Sequence, residues 1–379
     1  MSDVQRTLIL EYEDNTPKKA AFKENDSLVE FVTLGESLVG SICVAKVTEY
    51  IKAFGACFAE IGEERRGYLS ETKYRAGDWL LCQINGDAHD QKGVRLTDNV
   101  KISGAYLVLH GCAGIGISGK IQDSSDRERL RVLGETLQSF YPHASLGIIF
   151  RTEARFASNA AIQEEFQTLV QRGQNILNRF AEARRNGIAK VLERPDALQR
   201  ILFRYPPSTI QMIYGDSSLG LHRLETLYPV YSGKTQLSKA PSMDTHNVSR
   251  KMATLMGRKV WLKSGGYLIF DKTEAMTVVD VNSGKMSGAH SPGELARKIN
   301  FEAAAEILRS LRLRSIGGMI LCDMIDMVSQ DDRKALLEYM REIAENDPEN
   351  TQIHDITQLG IVEITRKRTK NTEYLDKKG

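Results

Sequence analysis

Residues 275–285 read AMTVVDVNSGK, an apolar, β-branched run closed by Asn, Ser and Gly, which is the composition of a strand ending in a turn. In an extended segment residues two apart share a face, so Asp280 and Asn282 point one way and Val279 and Val281 the other. Upstream, VWLKSG (260–265) and GYLIFD (266–271) read as further strands. Downstream, the strand GGMILCDMI (317–325) lies between two helical patterns, PGELARKINFEAAAEILRSLRL (292–313) and DDRKALLEYMREIAE (331–345). Strands alternating with helices predict an α/β layer structure for the last third of the chain.

Earlier in the chain, LGIIFRT (146–152) is a buried strand by its continuous apolar run. A long helical pattern runs from Ala160 to about Leu192, with Phe166, Leu169, Val170, Ile176 and Leu177 near i, i+3, i+4 spacing. RERLRVLGETLQSF (127–140) follows an Asp-Ser-Ser-Asp start and predicts a capped helix, and AYLVLHG (105–111) another strand. Between Ser37 and Ile102 the text changes to short strands with turn breaks, among them VGSICVAKVTEYI, GACFAEIG, RGYLS, DWLLCQING and KGVRLTDNV, which is the spacing of a small β-barrel. TLILEY (7–12) opens the chain as a strand. No linker or repeat separates these parts, so the domains are expected to be compactly interleaved.

The 379 residues exceed one small domain, and 51 basic against 49 acidic residues leave a net charge of only +2, which excludes a blanket polyanion-coating protein. With 26% charged and 41% hydrophobic residues the chain is globular in composition, not disordered or collagen-like. It lacks the roughly 18 consecutive apolar residues of a membrane helix, and its start lacks a signal-peptide layout, so a cytoplasmic protein is expected. The five cysteines are scattered, without CxxC, and four lie in apolar surroundings, so reduced, buried thiols are expected.

Four features could carry chemistry. Gly114-Ile-Gly116-Ile-Ser-Gly119-Lys120 satisfies G-x-G-x-x-G, but Ile121 stands where a phosphate-binding loop needs Ser or Thr, and a glycine-rich turn is the plainer reading. Asp280 and Asn282 share a strand face, and Asp323 interrupts an apolar run. A lone buried carboxylate there would cost several kcal/mol, so each acid is read as a cap, half of a buried ion pair, or a metal ligand. Two carboxylates ending adjacent strands beside a neutral amide match what Mg2+ asks for. In the barrel, Phe58 and Tyr68 flank an EERRG turn, with Lys92 and Arg95 on a later strand, an arrangement that either stacks bases or fills a core. Nine basic and nine acidic residues between Ser37 and Ile102 make any binding there stacking-led. The tail ITRKRTKN, with Arg366, Lys367, Arg368 and Lys370, reads as a solvated end.

Together these residues resemble the ribonuclease E/G family of bacterial endoribonucleases. The resemblance rests on FAEIGEERRGYL with KGVRLT, GAYLVL with FRTEA, TVVDVNSG, INFEAAAEILRSLRLRSIGGMILCDMIDM and, more loosely, LGIVEITRKR; it spans residues 38 to 368 and is weakest between about 190 and 255. It implies a multidomain α+β and α/β fold. Residues 1–36 with about 190–253 would form a discontinuous ribonuclease H-like domain, 37–102 an inserted OB-fold RNA-binding barrel, and 103–189 a 5′-sensor subdomain. Residues 254–368 would form a nuclease-like catalytic α/β subdomain, and 369–379 a basic tail.

The implied function is Mg2+-dependent cleavage of single-stranded RNA to 5′-phosphate and 3′-hydroxyl products, in rRNA processing or mRNA decay. Asp280 and Asp323 would be the ligands of Mg2+, or of Mn2+ in its place, with Asn282 holding Asp280. Phe58, Tyr68 and Lys92 would contact RNA, and Gly104, Val108, Arg151 and Thr152 would read a 5′-monophosphate. Asp326 is expected in a loop or capping the next helix. No CPxC pair follows LGIVEITRKR, so neither zinc nor a zinc-linked dimer is expected and the oligomeric state is left open. Near Asn350 no cation replaces the arginine the family can place there, which predicts a weaker preference for monophosphorylated ends. The alternative is an RNA-binding protein of the same fold with weak or no catalysis.

Overall fold

The computed structural model describes residues 4–34, 38–64, 66–70, 73–86, 93–140, 146–202, 204–284, 292–327 and 329–367. The fold is mixed α/β, in two compact units: Met1–Gly35 with Thr209–Gly379, and Glu36–Ser208. Among the described residues no helix is long and apolar enough to cross a membrane.

The second unit begins with a barrel. Strands Ile42–Ile51, Ala56–Glu60, Gly67–Leu69, Val94–Thr97 and Trp79–Gly86 pair in that order, and the first pairs back onto the last, closing five strands in an OB-like barrel. Its interior holds Val47, Ile61, Leu69, Leu80, Ile84 and three thiols, Cys43, Cys57 and Cys82. Burial pushes the Cys43 thiol up to about 12, so it stays protonated and inert. Cys322 is likewise buried and Cys112 exposed.

The same unit contains a four-stranded sheet ordered Gly114–Ile117, Gly147–Phe150, Leu107–His110, Lys101–Ser103. Helix Ser124–Ser139 starts with the Asp123 side chain accepting from the Asp126 backbone N–H, the expected cap. Two expectations need correction. The glycine-rich segment is a turn only at its end: Gly114–Ile117 is an edge strand running parallel to Gly147–Phe150 and Gly119-Lys120 turns the chain, while the helix after it begins at an acid, which repels phosphate. The long helix spans Asn159–Arg185 and stops short of Leu192. Gly187, at φ +67°, turns the chain, and Lys190–Glu193 becomes a strand paired with Ile42–Ile51.

The first unit has two sheets. One is ordered Thr235–Leu237, Ile210–Gly215, Arg6–Glu13, Thr16–Glu24, Ser27–Thr33. Its two hairpins turn on Asp14-Asn15 and Asn25-Asp26, all four at positive φ, as tight two-residue turns require. Glu24 ties the sheet to helix Pro292–Leu313, accepting from Arg6 at 3.0 Å and Arg312 at 2.8 Å.

The second sheet is ordered Lys259–Trp261, Tyr267–Lys272, Met276–Asn282, Gly318–Asp323, Ile361–Arg366, Thr351–Ile356. One face packs helices Pro292–Leu313 and Gln330–Ala344 in a core of Val260, Leu268, Phe270, Val279, Val281, Ile320, Cys322, Val362 and Ile364. Alternation sends the neighbouring residues to the other face, where Trp261, Met319, Asp280 and Asp323 are exposed. The helical stripe of the two amphipathic helices covers only one side, so this sheet is half-wet along its length.

Arg366 is not part of a solvated tail. It is 4% exposed, pairs with Asp347 at 2.7 Å and donates to the Ile316 carbonyl at 2.9 Å. Lys367 is exposed as expected, and residues 368–379, with Arg368 and Lys370, lie outside the described residues.

Candidate functional site

The Met276–Asn282 and Gly318–Asp323 strands run parallel, and their register sets Asp280 opposite Asp323. Residues facing each other across a ladder share a face, so both carboxylates stand on the open side, flanked by Val278 and Leu321. Asn282, next along that face, donates from Nδ2 to Asp280 Oδ2 at 2.8 Å. The amide holds one carboxylate oxygen and leaves the other clear. The pairing inferred from sequence is therefore brought together, but for a different reason. Neither acid is buried, so Asp323 is not the desolvated carboxylate expected from its apolar run. The apolar residues around it belong alternately to the core and to the open face, and Asp323 ends the strand. Two like charges on adjacent strands repel, and a divalent cation relieves that repulsion. Mg2+ takes one or two carboxylates and fills its shell with waters and phosphate, so this donor set fits it; no cluster of three acidic, His or Cys ligands occurs among the described residues.

What holds Asp323 was missed in the sequence. Asn300, fully buried on the Pro292–Leu313 helix, donates to the Ile325 carbonyl at 2.7 Å and accepts from the Ile325 N–H at 3.0 Å. This reciprocal pair pins the backbone two residues after the carboxylate. An Asn amid an amphipathic helix at a core position was the available signal, because a buried amide needs partners. Asp326 sits exposed in the following loop and caps nothing; Ser329 caps the next helix, accepting from the Asp332 N–H at 3.2 Å.

On the barrel, Phe58 and Tyr68 are cross-strand partners, half-buried, with ring centroids 5.7 Å apart. Neither belongs to the barrel core. Exposed Arg95 lies opposite Tyr68, extending the row with a cation on the same outer face. Lys92 lies outside the described residues. Because both rings pack on the outside, Phe58→Ala and Tyr68→Ala are expected to weaken single-stranded RNA affinity by about 1–3 kcal/mol each. Melting temperature should change little; a loss of about 3–5 kcal/mol of stability for the Phe would instead mark it as core. Titration of an oligonucleotide alongside thermal melts separates the two.

The third group gathers at the end of the four-stranded sheet. Arg151 donates from Nη1 to the Gly104 carbonyl at 2.7 Å, and its N–H bonds the Tyr106 carbonyl at 2.8 Å. Val108 pairs across the ladder with Ile149, and the Thr152 hydroxyl is 3.0 Å from Ser118 Oγ. Glu165, which the sequence reading missed, caps this loop by accepting from the N–H groups of Ala105, Tyr106 and Leu107 at 2.5, 2.8 and 2.8 Å. Burial holds its carboxyl above the usual range, against the opposing pull of these donors and Arg151. A Cβ at Gly104 would fall 2.4 Å from that carboxyl carbon, so the close approach needs glycine.

Comparison with known proteins bears on what such an arrangement does. Residues 101–369 match the model of the Ribonuclease E/G family. The chain is 32% identical over 383 residues to Ribonuclease E of Nostoc sp., covering 94% of this chain and 55% of that protein. It is 31% identical over 385 residues to Ribonuclease E of Synechocystis sp., covering 94% and 56%. It is also 31% identical over 374 residues to Ribonuclease G of Escherichia coli, covering 88% and 74%. The chain thus spans a little over half the length of the two Ribonuclease E relatives.

Proposed function

Because the chain belongs to the ribonuclease E/G family, we propose that it is a Mg2+-dependent endoribonuclease that cleaves single-stranded RNA to 5′-phosphate and 3′-hydroxyl products, in RNA processing or decay. The observation that carries this reading is the register that sets Asp280 against Asp323 with Asn282 bonded to Asp280. Asp280 and Asp323 would hold the ion, which when bound polarises the phosphodiester and lowers the pKa of an attacking water.

The chain's own groups do the positioning. Asn282 fixes the rotamer of Asp280, and Asn300 fixes the backbone two residues after Asp323. Phe58 and Tyr68 would stack bases without reading sequence, since every base offers a π-face. Residues 1–36 with about 190–253, which include the sheet of residues 6–33 and 210–237, are read as the ribonuclease H-like part and 254–368 as the catalytic part.

In the same reading Gly104, Val108, Arg151 and Thr152 recognise a 5′-monophosphate, with Arg151 as the charge reader. Arg151→Ala should erase any advantage of a 5′-monophosphate over a 5′-hydroxyl end, measured as a ratio of cleavage rates on matched oligonucleotides. The ratio is the diagnostic quantity, because losing the Gly104 contact also loosens the loop and lowers both rates together. Equal rates on both ends in the unmutated protein would mean that ends are not read at all, the extreme of the weak preference expected from Asn350. The reading as a whole is tested by incubating a fluorescent 5′-monophosphorylated, AU-rich oligonucleotide with and without Mg2+. Binding without cleavage in both would identify an RNA-binding protein instead.

A further inference from the structure

The open face of the six-stranded sheet carries a second group beside the carboxylates. Trp261 lies opposite Tyr267, and Tyr267 lies opposite Asn282, so the three form one row across three strands. The next row is Lys259, Ile269, Asp280, Asp323. Val260, Leu268 and Val281, which alternate with them, are all in the core, so both rows face outward. With strands about 4.8 Å apart, Tyr267 stands one strand and Trp261 two strands from the amide that holds Asp280.

Trp261 is 65% exposed, although an indole is among the side chains that gain most from burial. Its ring and that of Tyr267 are 5.4 Å apart at 63°, and the Lys259 ammonium sits 3.9 Å and 3.6 Å from the two centroids. Lys263, at the end of the same edge, is exposed. An exposed indole backed by a second ring and the Lys259 ammonium is complementary to a nucleotide, with a base for the ring and a phosphate for the ammonium.

We propose that Trp261, supported by Tyr267 and Lys259, is a stacking platform for the base of a nucleotide adjoining the scissile phosphate of single-stranded RNA. The proposal rests on the endoribonuclease reading above and adds to it a determinant of where cleavage falls. The barrel rings hold the strand anywhere along its length, whereas a ring two strands from Asp280 and three from Asp323 can act only on the nucleotides next to the cut. A base missing at that position removes the partner, so cleavage there is slowed whatever the rest of the strand offers.

The experiment uses an oligonucleotide with one mapped cleavage site and a series carrying a single abasic nucleotide at each flanking position. In the unmutated protein one position should give a cleavage penalty of roughly tenfold to a hundredfold, the fold-change that base–aromatic stacking supplies. Trp261→Ala should lose the same factor on the intact substrate and show no further penalty at that position; Trp261→Phe should restore both. Binding is read independently by tryptophan emission, comparing the unmutated protein with Trp261→Phe in the cleavage-deficient Asp280→Asn background. Quenching that disappears with Trp261→Phe places a base on the indole.

An abasic penalty unchanged in Trp261→Ala, with no Trp261 quenching, overturns the platform while leaving the nuclease reading intact. Quenching without any cleavage by the unmutated protein overturns the nuclease reading and leaves an RNA-stacking surface. A lower mass by light scattering in Trp261→Ala, with an unchanged abasic penalty, would show that a second copy of the chain covers the indole, and overturns the proposal.

Discussion

Asp280→Asn and Asp323→Asn are each expected to slow RNA cleavage by about a thousandfold, because a lost metal forfeits several kcal/mol of transition-state stabilisation. RNA affinity should stay within a few-fold, since the carboxylates carry no attraction for phosphate. Their effect on stability is a further discriminator. Both acids are exposed and directly opposite each other, so neutralising one removes a repulsion and the melting temperature should hold or rise slightly. Active-site acids behave in this way and structural acids do not. If either variant cleaves within tenfold of the unmutated protein, about 1.4 kcal/mol, that residue is not a metal ligand. A fall in melting temperature would recast it as half of a structural pair.

The second large effect is on stability. Arg366→Ala or Asp347→Ala should each cost about 3–5 kcal/mol, because either leaves its partner charged and buried. The two side chains are 2% and 4% exposed. Burial alone would raise the Asp347 carboxyl, but the Arg366 guanidinium, the Thr351 hydroxyl and the Glu349 N–H outweigh it and hold it below the usual carboxylate range. A carboxyl lowered in the folded state stabilises the protein above its unfolded value and loses that contribution as pH falls through the folded one. The Asp347 contribution is therefore complete at neutral pH and decays below about pH 4. Thermal melts of the unmutated protein and Asp347→Asn should be widely separated at pH 7 and converge on acidification; a constant gap would show that the carboxylate charge is not what matters.

The parts of the fold that were readable are those written in local pattern. Short strands punctuated by turns marked the barrel, and alternating strands and helices marked the last third. Asp280 and Asn282 could be placed on one face because a strand has period two. Period two does not say which face is wet, however, and this is why Asp323 was read as buried and Arg366 as free. Both depend on where helices Pro292–Leu313 and Gln330–Ala344 come to rest, a tertiary fact. Glu165 and Asn300 escaped notice for a related reason. Each is a polar residue on an amphipathic helix, and its partners are backbone groups of remote segments that carry no side-chain signature. The long helix was overextended because Leu192 continues the apolar rhythm across the turn at Gly187.

Chain order gives the five-stranded sheet of the first unit a particular birth. Arg6–Glu13 is flanked by Thr16–Glu24, made at once, and by Ile210–Gly215, made only after the whole of Glu36–Ser208 has been synthesised. In that interval the second unit is contiguous and can fold during synthesis, while the apolar TLILEY strand presents an unpaired edge. Stalled translation after the barrel strands of residues 42–97 have emerged but before Ile210–Gly215 is made would leave a nascent chain with a sticky terminus and a barrel free to fold. The cell's exposure to aggregation of this protein is thus governed by elongation speed through the inserted unit, and slow codons within it would be more harmful than the same codons after Gly215.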